Sequence, residues 1–192
     1  SGGMRQRVSI AMALALKPKI LIADEPTTSL DTKTSFEVMN QIQYLSEQYG
    51  TTLVLISHDI NLAAKWCKKV VIMEQGLIKE QGYIKEVLKS PNSKIGIKLV
   101  NASHISLKPL KKIIFKNDVI LEATNLRYWY KVNASIFQPR WNKALKEVSF
   151  KLYRNETLGI VGSSGSGKST LCRALIGLLN IRGGEIKVYE RN

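Results

Sequence analysis

The stretch LGIVGSSGSGKST, residues 158–170, decides the fold, because it runs from an apolar strand through a glycine-rich loop into a helix. The loop fits GxxxxGK[ST], a pattern that is specific when a strand precedes it and a helix follows. Glycines let successive backbone N–H groups turn inward around phosphate oxygens, and the helix adds its positive end. The loop therefore predicts phosphate binding by these residues: Gly162, Ser163, Ser164, Gly165, Ser166, Gly167, Lys168, Ser169 and Thr170.

The end of this loop also predicts the chemistry of its ligand. Lys168 would neutralise the β- and γ-phosphates of a nucleotide, and the Ser169 hydroxyl would bind Mg²⁺. A flexible loop of glycine and serine is the alternative, and the flanking strand and helix argue against it.

Two acids follow another apolar strand near the start of the chain, in ILIADEP at residues 20–26. In nucleotide hydrolases the first acid, here Asp24, faces Mg²⁺ through water, and the second, Glu25, polarises the attacking water. His58 follows the next apolar strand, at residues 53–56. An acidic turn or a lone histidine after a strand is common outside active sites, so the spacing of the whole set carries the prediction.

Strands and helices alternate in the first part of the chain, which predicts a parallel sheet. We expect buried strands at 20–23 and 53–56 and a buried helix over 4–16. The second part favours an antiparallel layer before the phosphate loop. The predicted fold class is α/β, of the P-loop NTPase kind, with a mainly parallel sheet and an antiparallel β layer. Further predicted elements are helices at 34–49, 60–68 and 171–179, a hairpin at 70–80, and strands at 119–121, 126–130, 148–152 and 185–189.

Composition narrows the class of protein. The chain has 192 residues, 44% of them hydrophobic, and a formal net charge of +14. The longest uninterrupted apolar run, residues 10–16, is far shorter than the roughly 20 residues that cross a bilayer. Cys67 and Cys172 match no metal-ligand spacing. These features predict a soluble, basic protein of a reducing compartment, without a disulfide framework, zinc ribbon or signal peptide.

Several motifs together resemble the ATP-binding domain of ABC transporters. SGGMRQR at 1–7 is similar to its signature motif, LIADEPTTSLD at 21–31 to its Walker B motif and D-loop, and LISHD at 55–59 to its switch-histidine segment. Residues 121–192 are similar to the first half of another such domain, with the phosphate loop as Walker A. The resemblance implies ATP and Mg²⁺ as cofactors and ATP hydrolysis as the reaction.

The resemblance also implies individual roles at the interface of two domains. Ser1, Gly2 and Gly3 would cap the γ-phosphate held by 162–170, and Asp31 would carry signals across the interface.

In this arrangement Asp24, Glu25 and His58 serve the other site, whose Walker A lies outside the chain. Asp24 would hold Mg²⁺ through water, Glu25 would activate the attacking water, and His58 would contact the γ-phosphate. Tyr130 is the expected adenine-stacking residue, with Tyr128 as its rival and plain strand packing as the alternative for both.

The signature precedes Walker A in this chain, the reverse of their order within one domain of the family. We therefore expect the second half of a first domain at 1–89, a linker at 90–117 and the first half of a second domain at 118–192. A fragment of this kind is expected to hydrolyse little ATP, because no complete site could form within it.

The signature is most similar to the peptide-importer branch, which moves oligopeptides, dipeptides or nickel. This implies ATP hydrolysis that powers solute import at the cytoplasmic face of the inner membrane. The implied partners are transmembrane permease subunits, a solute-binding protein and a second nucleotide-binding domain, with no nucleic acid expected.

Two alternatives remain open. One is a non-transport ABC ATPase bound to nucleic acid or ribosomes, favoured by the positive charge but not by the scattered basic residues, which lack interleaved aromatics. The other is a permuted pseudo-domain, in which the Walker A strand packs beside the Walker B strand.

Overall fold

The computed structural model describes residues 2–28, 30–103, 118–132 and 140–189. We call residues 2–103 the first segment and residues 118–189 the second segment. The helices are α1 Gly2–Ala15, α2 Thr32–Tyr49, α3 Ile60–Trp66, α4 Ile84–Lys89, α5 Lys94–Asn101 and α6 Lys168–Leu175. The strands are β1 Ile20–Asp24, β2 Thr52–Ser57, β3 Lys69–Glu74, β4 Leu77–Tyr83, β5 Val119–Val132, β6 Arg140–Tyr153, β7 Thr157–Gly162 and β8 Gly183–Val188.

The main sheet has five strands in the order β1-β2-β7-β3-β4. Strand β7, which leads into the phosphate loop, pairs in parallel with β2 on one side and β3 on the other. A second, antiparallel sheet has three strands in the order β6-β5-β8. The predicted α/β fold with a mainly parallel sheet and an antiparallel layer is confirmed. The two segments share one sheet, but the pairing in the permuted alternative is wrong, because β2 lies between the Walker B strand β1 and the Walker A strand β7.

Polar contacts fasten the two segments along the seam that β7 makes with its neighbours. The Asn155 backbone N–H donates to Thr52 Oγ1 at 3.0 Å, and the Lys68 N–H donates to the Thr157 carbonyl at 3.1 Å. Glu156, which is 1% exposed, has its carboxylate 3.1 Å from Lys69 Nζ. A buried carboxylate needs such a cation, because desolvation without one is costly.

Two hydrophobic cores lie on the two faces of the main sheet. The first packs α1, α2 and α3 against the sheet and includes Val161 of β7. The second lies between the main sheet and the antiparallel layer, where Ile56 and Val71 of the first segment meet Leu126 and Phe150 of the second. Burying such a side chain contributes about 1.5–3 kcal/mol. Both cores therefore depend on residues from both segments.

Two predictions of burial are only partly right. Helix α1 buries Ile10 and Leu14, but Met12 and Leu16 are 70% and 88% exposed. Strand β1 is half-buried rather than buried, because it forms an edge of the sheet in the part that the structure describes. The prediction for β2 is confirmed, since all six of its residues are buried.

The predicted linker at 90–117 contains the whole of α5, whereas α4 ends just before it, and residues 104–117 lie outside the described part of the chain. No helix among the described residues is long and apolar enough to cross a membrane.

Candidate nucleotide site

An open cavity of about 530 Å³ lies at the carboxyl ends of the parallel strands. Its walls come from the phosphate loop and the start of α6, from β5 and β6, and from the loops after β1 and β2. The lining residues are Glu25, Thr28, His58, Tyr130, Asn142, Lys143, Ala144, Ser164, Gly165, Ser166, Gly167, Lys168, Ser169 and Thr170.

The cavity unites residues that we expected in two separate sites. We predict that Glu25 and His58 serve another site in the longer protein, but in this chain they line the same cavity as the phosphate loop. Strand β7 pairs with β2 in parallel, with Val161 opposite Ser57, and β2 pairs with β1, with Ile56 opposite Asp24. Since parallel strands end at the same edge of a sheet, the loops that follow them meet there.

The backbone of the phosphate loop is shaped for a ligand. Gly165 has a φ of +75°, which favours glycine, and a Cβ at this position would meet no atom within 4 Å. Gly167 has a φ of +103°, and a Cβ there would lie 2.5 Å from the Ala144 carbonyl oxygen. The loop is therefore tightly packed on its inner side and open toward the cavity.

Lys168 is only 7% exposed. Its Nζ donates to the carbonyl oxygens of Gly162 and Ser163, at 2.9 and 3.1 Å. Burial lowers the pKa of Lys168 below its usual value, although the negative charges of Glu25 and Asp24 partly oppose this. An anion bound beside the ammonium group would favour its charged form.

Four observations fit a phosphate ligand at this loop. Gly165 opens toward the cavity, and Lys168 is a buried cation beside it. The Ser166 hydroxyl is buried and has no hydrogen-bond partner among the described residues. Helix α6 begins at Lys168, so its first backbone N–H groups face the same loop.

The carboxylate of Glu25 is held by two neighbours. Thr28 Oγ1 donates to Glu25 Oε2 at 2.7 Å, and His58 Nδ1 lies 2.9 Å from the same oxygen. Burial by itself raises the pKa of Glu25, but the hydrogen bonds from Thr28 and His58 and the charges of His58 and Lys168 outweigh it, and the pKa lies below its usual range. Glu25 is therefore an ionised acceptor, and His58 Nδ1 is the donor toward it.

The two predicted Mg²⁺ ligands lie on different elements. Ser169 lines the cavity. Asp24 ends β1 and is not among the lining residues, but its negative charge reaches both neighbours: it opposes the lowering of the Lys168 pKa by burial and adds to the raising of the Cys172 pKa by burial. The described residues contain no group of three or more His, Cys, Asp or Glu side chains around one point. Mg²⁺ bound with a nucleotide needs only one or two protein oxygens, because phosphates and water supply the rest.

Of the two candidate tyrosines, Tyr130 lines the cavity and Tyr128 does not. The Tyr130 hydroxyl lies 3.3 Å from Thr170 Oγ1, which ties the strand to the first turn of α6. The rings of Tyr128 and Tyr130 meet edge to face, with their centroids 4.9 Å apart. Adenine stacking on Tyr130 stays a prediction, now with the ring on the cavity wall.

The remaining predicted residues are Ser1, Gly2, Gly3 and Asp31. Gly2 and Gly3 begin α1, and Ser1 lies outside the described residues. Asp31 is the N-cap of α2, where its carboxylate accepts the backbone N–H groups of Lys33 and Thr34 at 3.1 and 3.0 Å. Hydrogen bonds, first of all with Thr34, lower the pKa of Asp31.

Sequence reasoning missed Thr28 and Asn142. Thr28 stands three residues after Glu25, a spacing that lets its hydroxyl turn back onto the carboxylate within one turn of chain. No local signal marks Asn142, because it reaches the cavity only through the pairing of β6 with Tyr130 of β5.

Comparison with known proteins agrees with these features. The sequence profile of the family described as ABC transporter matches residues 1–28 and 145–192. The peptidoglycan transport ATP-binding protein YejF of Agrobacterium fabrum is 35% identical over 185 residues, covering 95% of this chain and 34% of that protein.

The glutathione import ATP-binding proteins GsiA of Shigella dysenteriae and Escherichia coli are each 34% identical over 212 aligned residues, covering 97% of this chain and 34% of theirs. The chain thus spans about a third of the length of the curated relatives it matches. On these similarities, and with the motifs quoted above, the chain belongs to the ATP-binding proteins of the ABC transporter family.

Proposed function

We propose that the chain is part of the ATP-binding subunit of an importer and binds ATP with Mg²⁺ in the cavity at the phosphate loop. The observation that carries this proposal is that Glu25, His58 and the phosphate loop line one cavity. The site thus combines a phosphate cradle with an ionised carboxylate, which are the two elements that phosphoryl transfer to water requires.

Each residue of the site has a role in ATP binding or hydrolysis that follows from its chemistry. Lys168 and the backbone N–H groups of the loop bind the β- and γ-phosphates. Ser169 and, through water, Asp24 hold Mg²⁺, which neutralises charge on the phosphates. Glu25 accepts a proton from the attacking water or orients it, and His58, whose Nδ1 lies 2.9 Å from Glu25 Oε2, contacts the γ-phosphate. Tyr130 stacks on adenine.

Transport of small peptides is the process that ATP hydrolysis would power. The relatives' names refer to the transport of peptidoglycan and the import of glutathione, and both substrates contain peptide. The partners in this proposal are transmembrane permease subunits, a solute-binding protein and a second nucleotide-binding domain. Its location is the cytoplasmic face of the inner membrane.

We further propose that, in the longer protein, residues 1–89 and 118–192 belong to two successive nucleotide-binding domains joined by residues 90–117. One alignment covers 95% of the chain and therefore spans both segments, which supports this order. In the isolated chain the same strands instead complete one sheet. Hydrolysis by this chain is expected to be slow, because in this arrangement Ser1, Gly2 and Gly3 would complete the site only across the interface of two domains.

A titration of the chain with a fluorescent, slowly hydrolysed ATP analogue, with and without Mg²⁺, tests the site. We expect Lys168→Ala to weaken binding by about a hundredfold, because a charge-assisted hydrogen bond contributes roughly 1.5–3 kcal/mol. Asp24→Ala should remove only the Mg²⁺-dependent part of the affinity. Lys187→Ala is the matched control, since this exposed lysine pairs with Glu185 far along the chain from the loop.

Two results would count against the proposal. Equal affinities of the Lys168→Ala variant and the parent chain would show that the loop does not bind phosphate. An unchanged Mg²⁺ effect in the Asp24→Ala variant would show that Asp24 and the phosphate loop do not act in one site.

A further inference from the structure

A cluster of aromatic and basic side chains lies on β5 and β6 beside the nucleotide cavity. We call it the Trp–Lys patch and define it by five residues: Trp129, Lys131, Trp141, Lys143 and Arg182. Trp129 lies directly opposite Lys143, and Lys131 directly opposite Trp141. Opposed residues of antiparallel strands share one face, with Cβ atoms about 4.5–5.5 Å apart. Aromatic and basic side chains therefore alternate along and across the two strands.

This patch corrects the prediction that the basic residues lack interleaved aromatics. The interleaving is invisible in the linear sequence because it arises between two strands. Trp141 lies at the start of β6, while residues 133–139 lie outside the described part of the chain.

The Arg182 guanidinium contacts both indole rings. Its guanidinium carbon lies 5.5 Å from the ring centroid of Trp129 and 4.6 Å from that of Trp141, both within the range of cation–π attraction. The Arg182 backbone N–H donates to the Arg127 carbonyl at 2.9 Å, which fixes the start of β8 beside β5. The patch is thus a built surface, with a cation lying over both rings.

The patch carries positive charge that the described residues do not neutralise. Three other cations of the same sheet have carboxylate partners: Arg127 pairs with Glu147, Lys151 with Glu122, and Lys187 with Glu185. Within the described ranges, no ion pair joins a carboxylate to Lys131 or Arg182. Both side chains are exposed, and Trp141 is 43% exposed between them.

Trp129, Lys131 and Trp141 of the patch lie on the face of β5 and β6 that is opposite to the cavity. Tyr130 and Asn142 oppose each other in the ladder and line the cavity. Their neighbours Lys131 and Trp141 point the other way, because successive side chains of a strand alternate between faces. Lys143 belongs to the border, since it also lines the cavity.

We propose that the Trp–Lys patch docks on the anionic headgroup surface of a phospholipid bilayer. Indole rings favour the boundary between headgroups and hydrocarbon, and exposed lysine and arginine side chains are attracted to anionic lipids. Single-stranded nucleic acid fits less well, because its bases need free ring faces and Arg182 lies over both indoles. The contact goes beyond the proposed function, in which permease subunits alone bring the chain to a membrane.

Co-sedimentation of the chain with vesicles tests this surface without nucleotide or permease, so its outcome is independent of the nucleotide site. Vesicles of phosphatidylcholine are compared with vesicles that also contain phosphatidylglycerol, at about 0.1 M salt, where charges are screened beyond about 10 Å. We expect binding to the anionic vesicles only. The Lys131→Ala/Arg182→Ala double variant should bind about thirtyfold more weakly, since each surface cation contributes roughly fivefold.

The charge-matched control is Lys151→Ala/Lys187→Ala, which removes two paired cations from the same sheet and should bind nearly as tightly as the parent chain. Thermal unfolding verifies that each variant is folded. Trp141→Phe, which keeps an aromatic ring and all charges, should reduce the blue shift of tryptophan emission on anionic vesicles. Equal losses in the two double variants, equal binding to both vesicle types, or tighter binding to single-stranded DNA than to anionic vesicles at the same salt would overturn the proposal.

Discussion

The two segments contribute opposite kinds of chemistry to the cavity. The second segment contributes donors, which are the loop N–H groups, Lys168 and hydroxyls, and its lysine is held by carbonyls of its own loop. The first segment contributes the Glu25 carboxylate with the His58 imidazole, which hold each other. Neither segment has both a phosphate cradle and a base, so the chemistry depends on how firmly the two are joined.

One turn of the first segment is hydrogen-bonded to the phosphate loop of the second segment. Gly76, in the turn between β3 and β4, donates its N–H to the Ser166 carbonyl at 2.8 Å and accepts the Lys146 N–H at 2.7 Å. The turn thereby connects the phosphate loop to β6. Its φ of +78° suits glycine, and a Cβ there would lie 2.5 Å from the Ala144 carbonyl oxygen.

A substitution at Gly76 should weaken the contact between the two segments most strongly. Gly76→Ala adds the strain of a positive φ to a clash with backbone, and we expect a loss of about 3 kcal/mol in the free energy of unfolding. Urea denaturation measures this loss. Trp66 fluorescence follows the unfolding of the first segment, and the fluorescence of Trp129 and Trp141 follows that of the second. Variants that keep the tryptophans of only one segment should therefore unfold at the same urea concentration.

Gly177→Ala is the matched control. Gly177 has a nearly equal φ of +75°, but a Cβ there would meet no atom within 4 Å, so only the strain of about 1–2 kcal/mol applies. Equal destabilisation by the two substitutions would show that the Gly76 contact does not join the segments. Separate midpoints for the two reporters would show that the segments fold independently.

Glu25, the proposed base in the first segment, can be perturbed by a substitution that leaves the phosphate loop of the second segment unchanged. Thr28→Val removes the 2.7 Å hydrogen bond to Glu25, one of the interactions that lower the pKa of this carboxyl. The pKa of Glu25 should then rise, so the acidic limb of the pH–rate profile moves to higher pH. We expect the hydrolysis rate to fall about tenfold, because misplacing a general base costs part of its roughly hundredfold effect.

Single-turnover phosphate release over a pH series measures both changes. The affinity for the ATP analogue should stay the same, because Thr28 contacts the carboxylate and not the loop. Thr28→Ser, which keeps the hydroxyl, should restore the rate and the profile. If Thr28→Val leaves the acidic limb where it is, Thr28 does not position the base.

The sequence predicts the local parts of this site well. The strand, loop and helix around Lys168 follow one another along the chain, and so do β1 and its two acids, so neighbouring residues suffice to specify them. Phosphate binding needs backbone N–H groups within one turn of chain, which a glycine pattern encodes directly.

The pairing between segments could not be predicted in the same way. Strand β7 is apolar on both faces and fits between any two parallel strands, so its sequence does not specify β2 and β3 as neighbours. The same holds for Asn142 and for Gly76, whose contacts lie tens of residues away in sequence. The sequence does not predict the exposure of Met12, because an alternating apolar pattern does not reveal on how many sides other elements pack against a helix.

Glu80 offers a contact that is internal to the first segment. Its carboxylate accepts the backbone N–H groups of Asn92 and Ser93 at 2.9 and 3.0 Å and the Ser93 hydroxyl at 2.7 Å, just before α5 begins. Burial raises the pKa of Glu80, but these hydrogen bonds outweigh it and the pKa is lower than usual. Ionised Glu80 therefore stabilises the folded chain.

Glu80→Gln should lower the free energy of unfolding by about 1–2 kcal/mol at neutral pH, because an amide cannot accept all three bonds. A folded pKa below the unfolded value of about 4.3 places this contribution above that pH, and it disappears as the pH falls through the folded pKa. The difference between the two proteins, followed by urea denaturation, should thus shrink below about pH 4. Glu185→Gln, at an exposed ion pair with Lys187, should cost less than about 1 kcal/mol. A pH-independent difference for Glu80→Gln would mean that packing, and not the ionised carboxylate, holds the start of α5.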